Sequence, residues 1–305
     1  MREKVEVINT DLKKKKEDLK KKAKKRSQIA DVWKRLKKSP AAVIGIILII
    51  IFILMAVFAN YIADYQTDAI KMNVVNRLQS PNKDHWFGTD EFGRDIFARI
   101  VYGTRISLFV GLISVGIALT IGGTLGAIAG YYGGKIDNMI MRVLDVLLAI
   151  PTILLAITIV AALGASIMNL MIAVGISNIP GFARVVRASV LSVKDQEFIE
   201  AAKAIGARDH TIILKHVLPN SMAPIIVYAT LKVATAIMAT ASLSFIGLGV
   251  APPTPEWGSM LAGGRNYMRD SMHIVMFPGL AIVLTVLSLN LIGDGLRDAL
   301  DPKLK

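Results

Sequence analysis

Side chains able to do chemistry are few in this 305-residue chain, and their spacing excludes most of it. There is no cysteine, which removes disulfides, thiolate metal sites and cysteine nucleophiles. The four histidines are scattered, none at ligand spacing from another or from a carboxylate pair, so no metal centre is expected. No G-x-x-x-x-G-K-[ST] loop is present to cradle phosphates; residues 122–130 are glycine-rich without the lysine, and those glycines suit close helix packing. Neither a catalytic residue nor a resident cofactor is expected. What remains is a set of polar groups in apolar surroundings: Lys232, with Thr235, Thr240, Ser242 and Ser244 after it, and Asn178 in an earlier apolar block. An ionisable group inside such a block is expensive and faces water, a partner or a pathway, unless it lies near one end and snorkels. Hydroxyls there bond their own helix carbonyls as readily as they line a cavity. These six residues are the candidates for a solute path.

The elements that would position them are membrane helices. The chain is 53% hydrophobic, and its apolar residues form long blocks. A helix needs about 20 such residues to cross the hydrocarbon, where every backbone polar group must be satisfied internally. Six stretches qualify, over 41–62, 106–130, 143–163, 168–186, 223–248 and 273–292, so an all-α, polytopic protein with six transmembrane helices is expected. Pro151 interrupts the third and Pro180-Gly181 the fourth.

The net charge of +13 does not indicate nucleic-acid binding, because residues 1–39 carry 16 Lys+Arg against 6 Asp+Glu. By the positive-inside rule this tail, residues 1–40, lies in the cytoplasm, and six spans return the C-terminus, with Arg297, Lys303 and Lys305, to the same side. No cleaved signal peptide is expected. Ile29, Val32, Trp33 and Leu36 fall at i, i+3, i+4 and i+7 among lysines and arginines, which predicts an amphipathic helix on the inner leaflet. The lysine runs at 13–16 and 20–26 read as charge facing anionic lipid. The first connection, 63–105, is external, with six basic and six acidic residues. Within it Gly88 and Gly93 allow tight turns and Trp86 suits the membrane interface, while Asp90, Glu91, Arg94 and Asp95 are candidates for docking or an outer gate.

The longest internal connection, 187–222, has mixed charge and must fold. A helix is expected from Asp195 to Ile205 with Phe198, Ala201, Ala202 and Ile205 on one face. Gly206 would supply its left-handed stop, and Asp209 the N-cap of a second helix to Val217, before Leu218-Pro219. The small residues let another protein's groove approach the backbone, and Glu200 and Lys203 offer charge to its rim.

Glu200-Ala201-Ala202, Gly206 and Leu218-Pro219 resemble the EAA signature of ABC-importer permeases, in which this segment is the coupling helix seated in a cleft of the nucleotide-binding subunit. His216 stands where the general signature has isoleucine, and histidine there is similar to the peptide and nickel branch. The stretches 85–95, 243–249, 252–258 and 294–302 resemble the second, C-type permease subunit of dipeptide, oligopeptide and nickel importers. The resemblance implies a type I importer permease core over 106–305, with a coupling loop at 187–222. Its coupling residues would be Glu200, Ala201, Ala202, Lys203, Gly206, Ala207, Arg208, Asp209, His216, Leu218 and Pro219.

Implied partners are a homologous second permease, two ATP-binding subunits that hold ATP and Mg, an extracytoplasmic binding protein and membrane lipids, in a bacterial-type cell membrane. In the proline-rich segment 252–257, Glu256 and Trp257 become candidates for a docking rim, Trp257 equally for an interfacial anchor. Relatives carry an acidic residue where Thr240 stands, which weakens a grip on a substrate ammonium there. Peptides are the expected cargo; nickel chelates or glutathione are the alternatives within the same machinery. An ion-driven carrier is the alternative from another class, but it would show clustered intramembrane carboxylates or an inverted repeat, and neither is evident.

Overall fold

The computed structural model describes residues 30–301, and its regular elements there are helical, apart from one bridge between Thr89 and Asp95. The principal helices are α1 (Pro40–Val57), α2 (Ile96–Tyr132), α3 (Gly134–Leu148), α4 (Thr152–Leu163), α5 (Ile167–Leu191), α6 (Glu197–Ala204), α7 (Leu218–Phe245), α8 (Trp257–Gly264) and α9 (His273–Leu300). Five helices are long and apolar enough to cross a membrane: α1, α2, α5, α9, and α7 with the turns leading into it from Asp209.

The sixth crossing exists only as a broken pair, because α3 and α4 meet at 82°. The break falls at Pro151, where the expected span over 143–163 is interrupted, and its first half begins earlier, at Gly134. Pro151 has no N–H to donate and drives Ile150 out of helical geometry, so a new helix starts at Thr152. The 12 residues of α4 rise only about 18 Å, short of the roughly 30 Å hydrocarbon core. Two ion pairs tie α3 to α5: Arg187 grips Asp137 with two bonds of 2.5 Å, and Arg184 lies 2.6 Å from Asp145. By contrast Pro180 is accommodated within α5, which continues unbroken to Leu191.

Other boundaries move outward from those expected. The carboxylate of Asp95 accepts the N–H of Ala98, capping α2 well before residue 106 and shortening the external connection. At its far end α9 runs on to Leu300, so Asp294, Arg297 and Asp298 ride exposed on its last turns rather than beyond it.

Glycine sets the closest packing. Gly122, Gly126 and Gly130 line the side of α2 that meets α5. A Cβ on Gly122 would come within 2.5 Å of the Ile179 carbonyl oxygen, and one on Gly126 would overlap the Ala183 backbone. Buried side chains then fall into layers. Val110, Leu170, Val174, Phe182, Ile237 and Leu243 fill the middle, Val186, Val190, Ile199, Ile212 and Val217 the end beside α6, and Ile96, Ile100, Trp257 and Ile274 the opposite end.

Helix α1 packs on α9 through Gly45 and leaves Ile44, Ile47, Ile51 and Leu54 uncovered, as a lipid-facing helix does. The amphipathic helix expected near Trp33 is helical over residues 30–36, with Leu36 buried against Ala42 and Ala299 and Trp33 exposed. Ile29, the lysine runs, Pro302, Lys303 and Lys305 lie outside the described residues.

Candidate functional site

Helix α6 is a short platform held on the bundle by one face. Ile199 and Ala202 bury against Val190, Val193, Ile212 and Val217. On the other side Phe198, Ala201 and Ile205 are exposed, with Glu200 and Lys203 beside them, and Ile205 is 84% exposed. The expected single face is thereby split, and of the two small residues only Ala201 looks outward. Gly206 ends the helix with φ of +78°, and Ala207, half-buried, donates its N–H to the Ala202 carbonyl at 3.1 Å.

Beyond Gly206 two expectations fail. Asp209 is not the cap of the second helix but its first residue; exposed Arg208 is the N-cap and makes no side-chain capping bond. The Asp209 carboxylate instead accepts the Tyr131 hydroxyl at 2.9 Å, while the Lys203 ammonium lies 5.6 Å from the Tyr131 ring centroid. Nor does Leu218-Pro219 stop the chain. Residues Ile213–Val217 widen into a π-type turn that runs directly into α7, where Pro219 occupies the first turn and its missing N–H costs nothing. Within that turn the His216 carbonyl accepts the Asn220 amide at 2.6 Å.

Three of the six path candidates meet. Asn178, Lys232 and Thr235 line a cavity of about 210 Å³ together with Thr152, Ser177 and Ala239. Their positions follow from helix geometry: Asn178 stands mid-way along α5, Lys232 mid-way along α7, and Thr152 where α4 restarts. Lys232 has no carboxylate within 4 Å among the described residues; its ammonium lies 5.3 Å from the Tyr228 ring centroid. The other three lie elsewhere. Thr240 is buried in packing, Ser244 is buried at the end of α7 beside Glu256, and exposed Ser242 bonds the Met238 carbonyl at 2.9 Å. Thr152, Ser177 and Tyr228 escaped the sequence reading, although Thr152 follows the helix-breaking proline and Ser177 adjoins Asn178.

The end opposite α6 is built around buried charge. Arg94 donates to Asp90 at 2.7 Å, and Arg99 lies 3.3 Å from the same carboxylate. Arg99 also donates to the carbonyls of Ala69 at 2.7 Å and Pro253 at 3.2 Å, joining the first connection to the proline-rich one. That hub is invisible to span counting, since Arg99 sits inside the first turns of α2. Asp95, half-buried, adds to its capping role a 2.7 Å contact with His85 Nδ1. Asp90, Glu91, Arg94 and Arg99 line a second cavity, of about 500 Å³.

Glu256 and Trp257 do not form a rim. Trp257 is fully buried, its indole donating to the Ile100 carbonyl at 3.2 Å and its ring edge-on to Phe52. Glu256 is equally buried and caps α8 by accepting the N–H groups of Gly258 and Ser259 at 2.9 and 2.8 Å. Burial pushes the carboxyls of both Glu91 and Glu256 above the usual range.

A helical bundle with one broken span, a polar cavity between apolar helices and an exposed platform at one end defines a polytopic membrane permease. The chain belongs to the family of binding-protein-dependent transport system inner membrane components, which matches residues 122–305, and residues 27–81 match the N-terminal TM domain of oligopeptide transport permease C. It is 54% identical to the dipeptide transport system permease protein DppC of Alkalihalophilus pseudofirmus over 90% of both chains. With the glutathione transport system permease protein GsiD of Escherichia coli it shares 48% identity, again over 90% of both. Among solved structures, the inward-facing MetNI methionine ABC transporter aligns with a TM-score of 0.55 at 19% identity, covering 67% of this chain and 97% of that one. An amino acid ABC transporter aligns at 0.53 and 14% identity, covering 67% and 95%. These structural likenesses show the ABC importer permease fold.

Proposed function

We propose that this chain is one permease half of an ATP-driven peptide importer in a bacterial-type cell membrane, with both termini and α6 on the cytoplasmic side. A homologous permease completes the pathway, two ATPases dock beneath, and an extracytoplasmic binding protein delivers the cargo. The chain itself catalyses nothing; ATP and Mg act in the partner subunits.

The observation that carries this reading is the exposed apolar strip of Phe198, Ala201 and Ile205 on a helix whose other face is locked into the bundle. Such a strip, rimmed by Glu200 and Lys203, suits a cleft of a partner protein. Because Ile199 and Ala202 pack α6 onto the bundle and the Tyr131–Asp209 bond ties the turn after it to α2, a push on the strip reaches the membrane helices instead of flexing a loop. ATP-driven closure of the ATPases would thus open the pathway outward, and hydrolysis would reset it.

Peptide cargo is supported by the relatives, one named for dipeptides and the other for glutathione. Affinity purification of the tagged chain from cells expressing all subunits is the test. Recovery of both ATPases and the second permease is expected; recovery of the chain alone would oppose the proposal.

A further inference from the structure

Lys232 raises a problem that its span cannot solve. It lies near the middle of α7, about 20 Å of helix rise from either end, while a lysine side chain reaches only about 6 Å. Snorkelling to either helix end is therefore closed to it, and the half-buried ammonium must be balanced by water, a partner or a ligand facing it. Within the chain the balance is incomplete. The Tyr228 ring at 5.3 Å supplies a cation–π contact, and no carboxylate lies within 4 Å among the described residues.

The same ammonium borders the cavity of about 210 Å³, where the Asn178 amide donates one bond to the Val174 carbonyl and the Thr235 hydroxyl bonds the Lys232 carbonyl. Those bonds leave the second amide hydrogen of Asn178 as a free donor for an occupant. One full positive charge, hydrogen-bonding groups and no negative charge in the lining specify an anion, and a carboxylate offers the planar acceptor pair that lysine and amide donors bind. From this geometry we infer that Lys232 and Asn178 form a mid-membrane subsite for the free α-carboxylate of a peptide in transit. The inference rests on the peptide-importer reading and adds to it a substrate feature: the cargo crosses with its terminal carboxylate paired to Lys232.

The chain contains no cysteine, so a single thiol introduced at this position is unique within it. The experiment uses the complete transporter in proteoliposomes, with the wild-type complex as the control for thiols in other subunits. Lys232→Cys should lower ATP-dependent uptake of a dipeptide by about tenfold, the loss of one charge-assisted contact, while loaded binding protein still stimulates ATP hydrolysis. Treatment with aminoethyl methanethiosulfonate, which restores an ammonium, should recover uptake; the neutral methyl reagent should not. In the complex without binding protein, millimolar dipeptide should slow the aminoethyl reaction, and its C-terminal amide should not.

Wild-type uptake by the cysteine variant, or equal recovery with the neutral reagent, would overturn the inference. Recovery without any protection by dipeptide would overturn it too, because the counter-charge would then belong to the partner permease. Failure of the wild-type complex to import peptide would instead strike at the peptide-importer reading beneath it.

Discussion

The hydroxyl of Tyr131 donates a 2.9 Å hydrogen bond to the carboxylate of Asp209, joining the last turn of α2 to the first turn of the helix that becomes α7. Two long membrane helices are thereby tied at the base of the exposed platform. Tyr131→Phe keeps the ring against Lys203 and removes only this bond, worth about 1 kcal/mol. Peptide imported per ATP hydrolysed should fall about fivefold with assembly intact. A ratio equal to wild type would mean that the bond carries no coupling.

The α2–α5 interface makes a sharper prediction about stability. A Leu at Gly126 must enter the Ala183 backbone, whereas a Cβ at Gly116 meets nothing within 4 Å. Gly126→Leu should destabilise the detergent-solubilised protein by about 3 kcal/mol or abolish its folding, and Gly116→Ala should hold or slightly raise its melting temperature. Comparable melting of the two variants would contradict the packing described.

Which parts were legible in the sequence follows from the physics of each signal. Crossings are set by long apolar blocks, so five of six spans were placed to within a few turns of their helices. In the third the break at Pro151 was legible, but not that it bends the two halves to 82°, since a proline marks a helix boundary without fixing the angle across it. On α6, Gly206 was legible as a stop since few other residues tolerate its φ of +78°. The inward turn of Ala202 was not, because a helix with apolar residues on two sides does not announce which side its own chain covers. Likewise Trp257 and Glu256 looked like surface residues from their proline-rich setting; only tertiary contacts with Ile100 and the start of α8 place them inside.

Burial of Trp257 should be costly to lose. Trp257→Ala removes a fully buried indole, its bond to Ile100 and its contact with Phe52, for about 3–5 kcal/mol. Trp257→Phe should recover much of the packing but not the bond. Chemical denaturation in detergent measures both, and a loss below about 1 kcal/mol for the alanine variant would speak against the buried position.

A pH dependence follows from Glu91. Burial raises its carboxyl above the ordinary value of 4.5, so the folded state binds the proton more tightly than the unfolded chain does. The stabilisation linked to that proton is fully present below pH 4.5 and is lost as pH rises through the folded value. Glu91→Gln cannot ionise and should escape the loss. Its melting temperature relative to wild type should therefore climb as pH rises above 4.5 and through the raised folded value. A difference independent of pH would show that the carboxyl is not raised.

The central claim is that the strip on α6 receives the motor. Ile205 is 84% exposed and contributes nothing to the core, so Ile205→Arg leaves folding intact while placing an unpaired charge where the ATPase cleft must close. The measurement is ATP-dependent uptake of labelled dipeptide by proteoliposomes holding the complete transporter. Wild type should take up the dipeptide and Ile205→Arg at least about tenfold less at equal incorporation; undiminished uptake by the variant would show that the strip does not receive the motor.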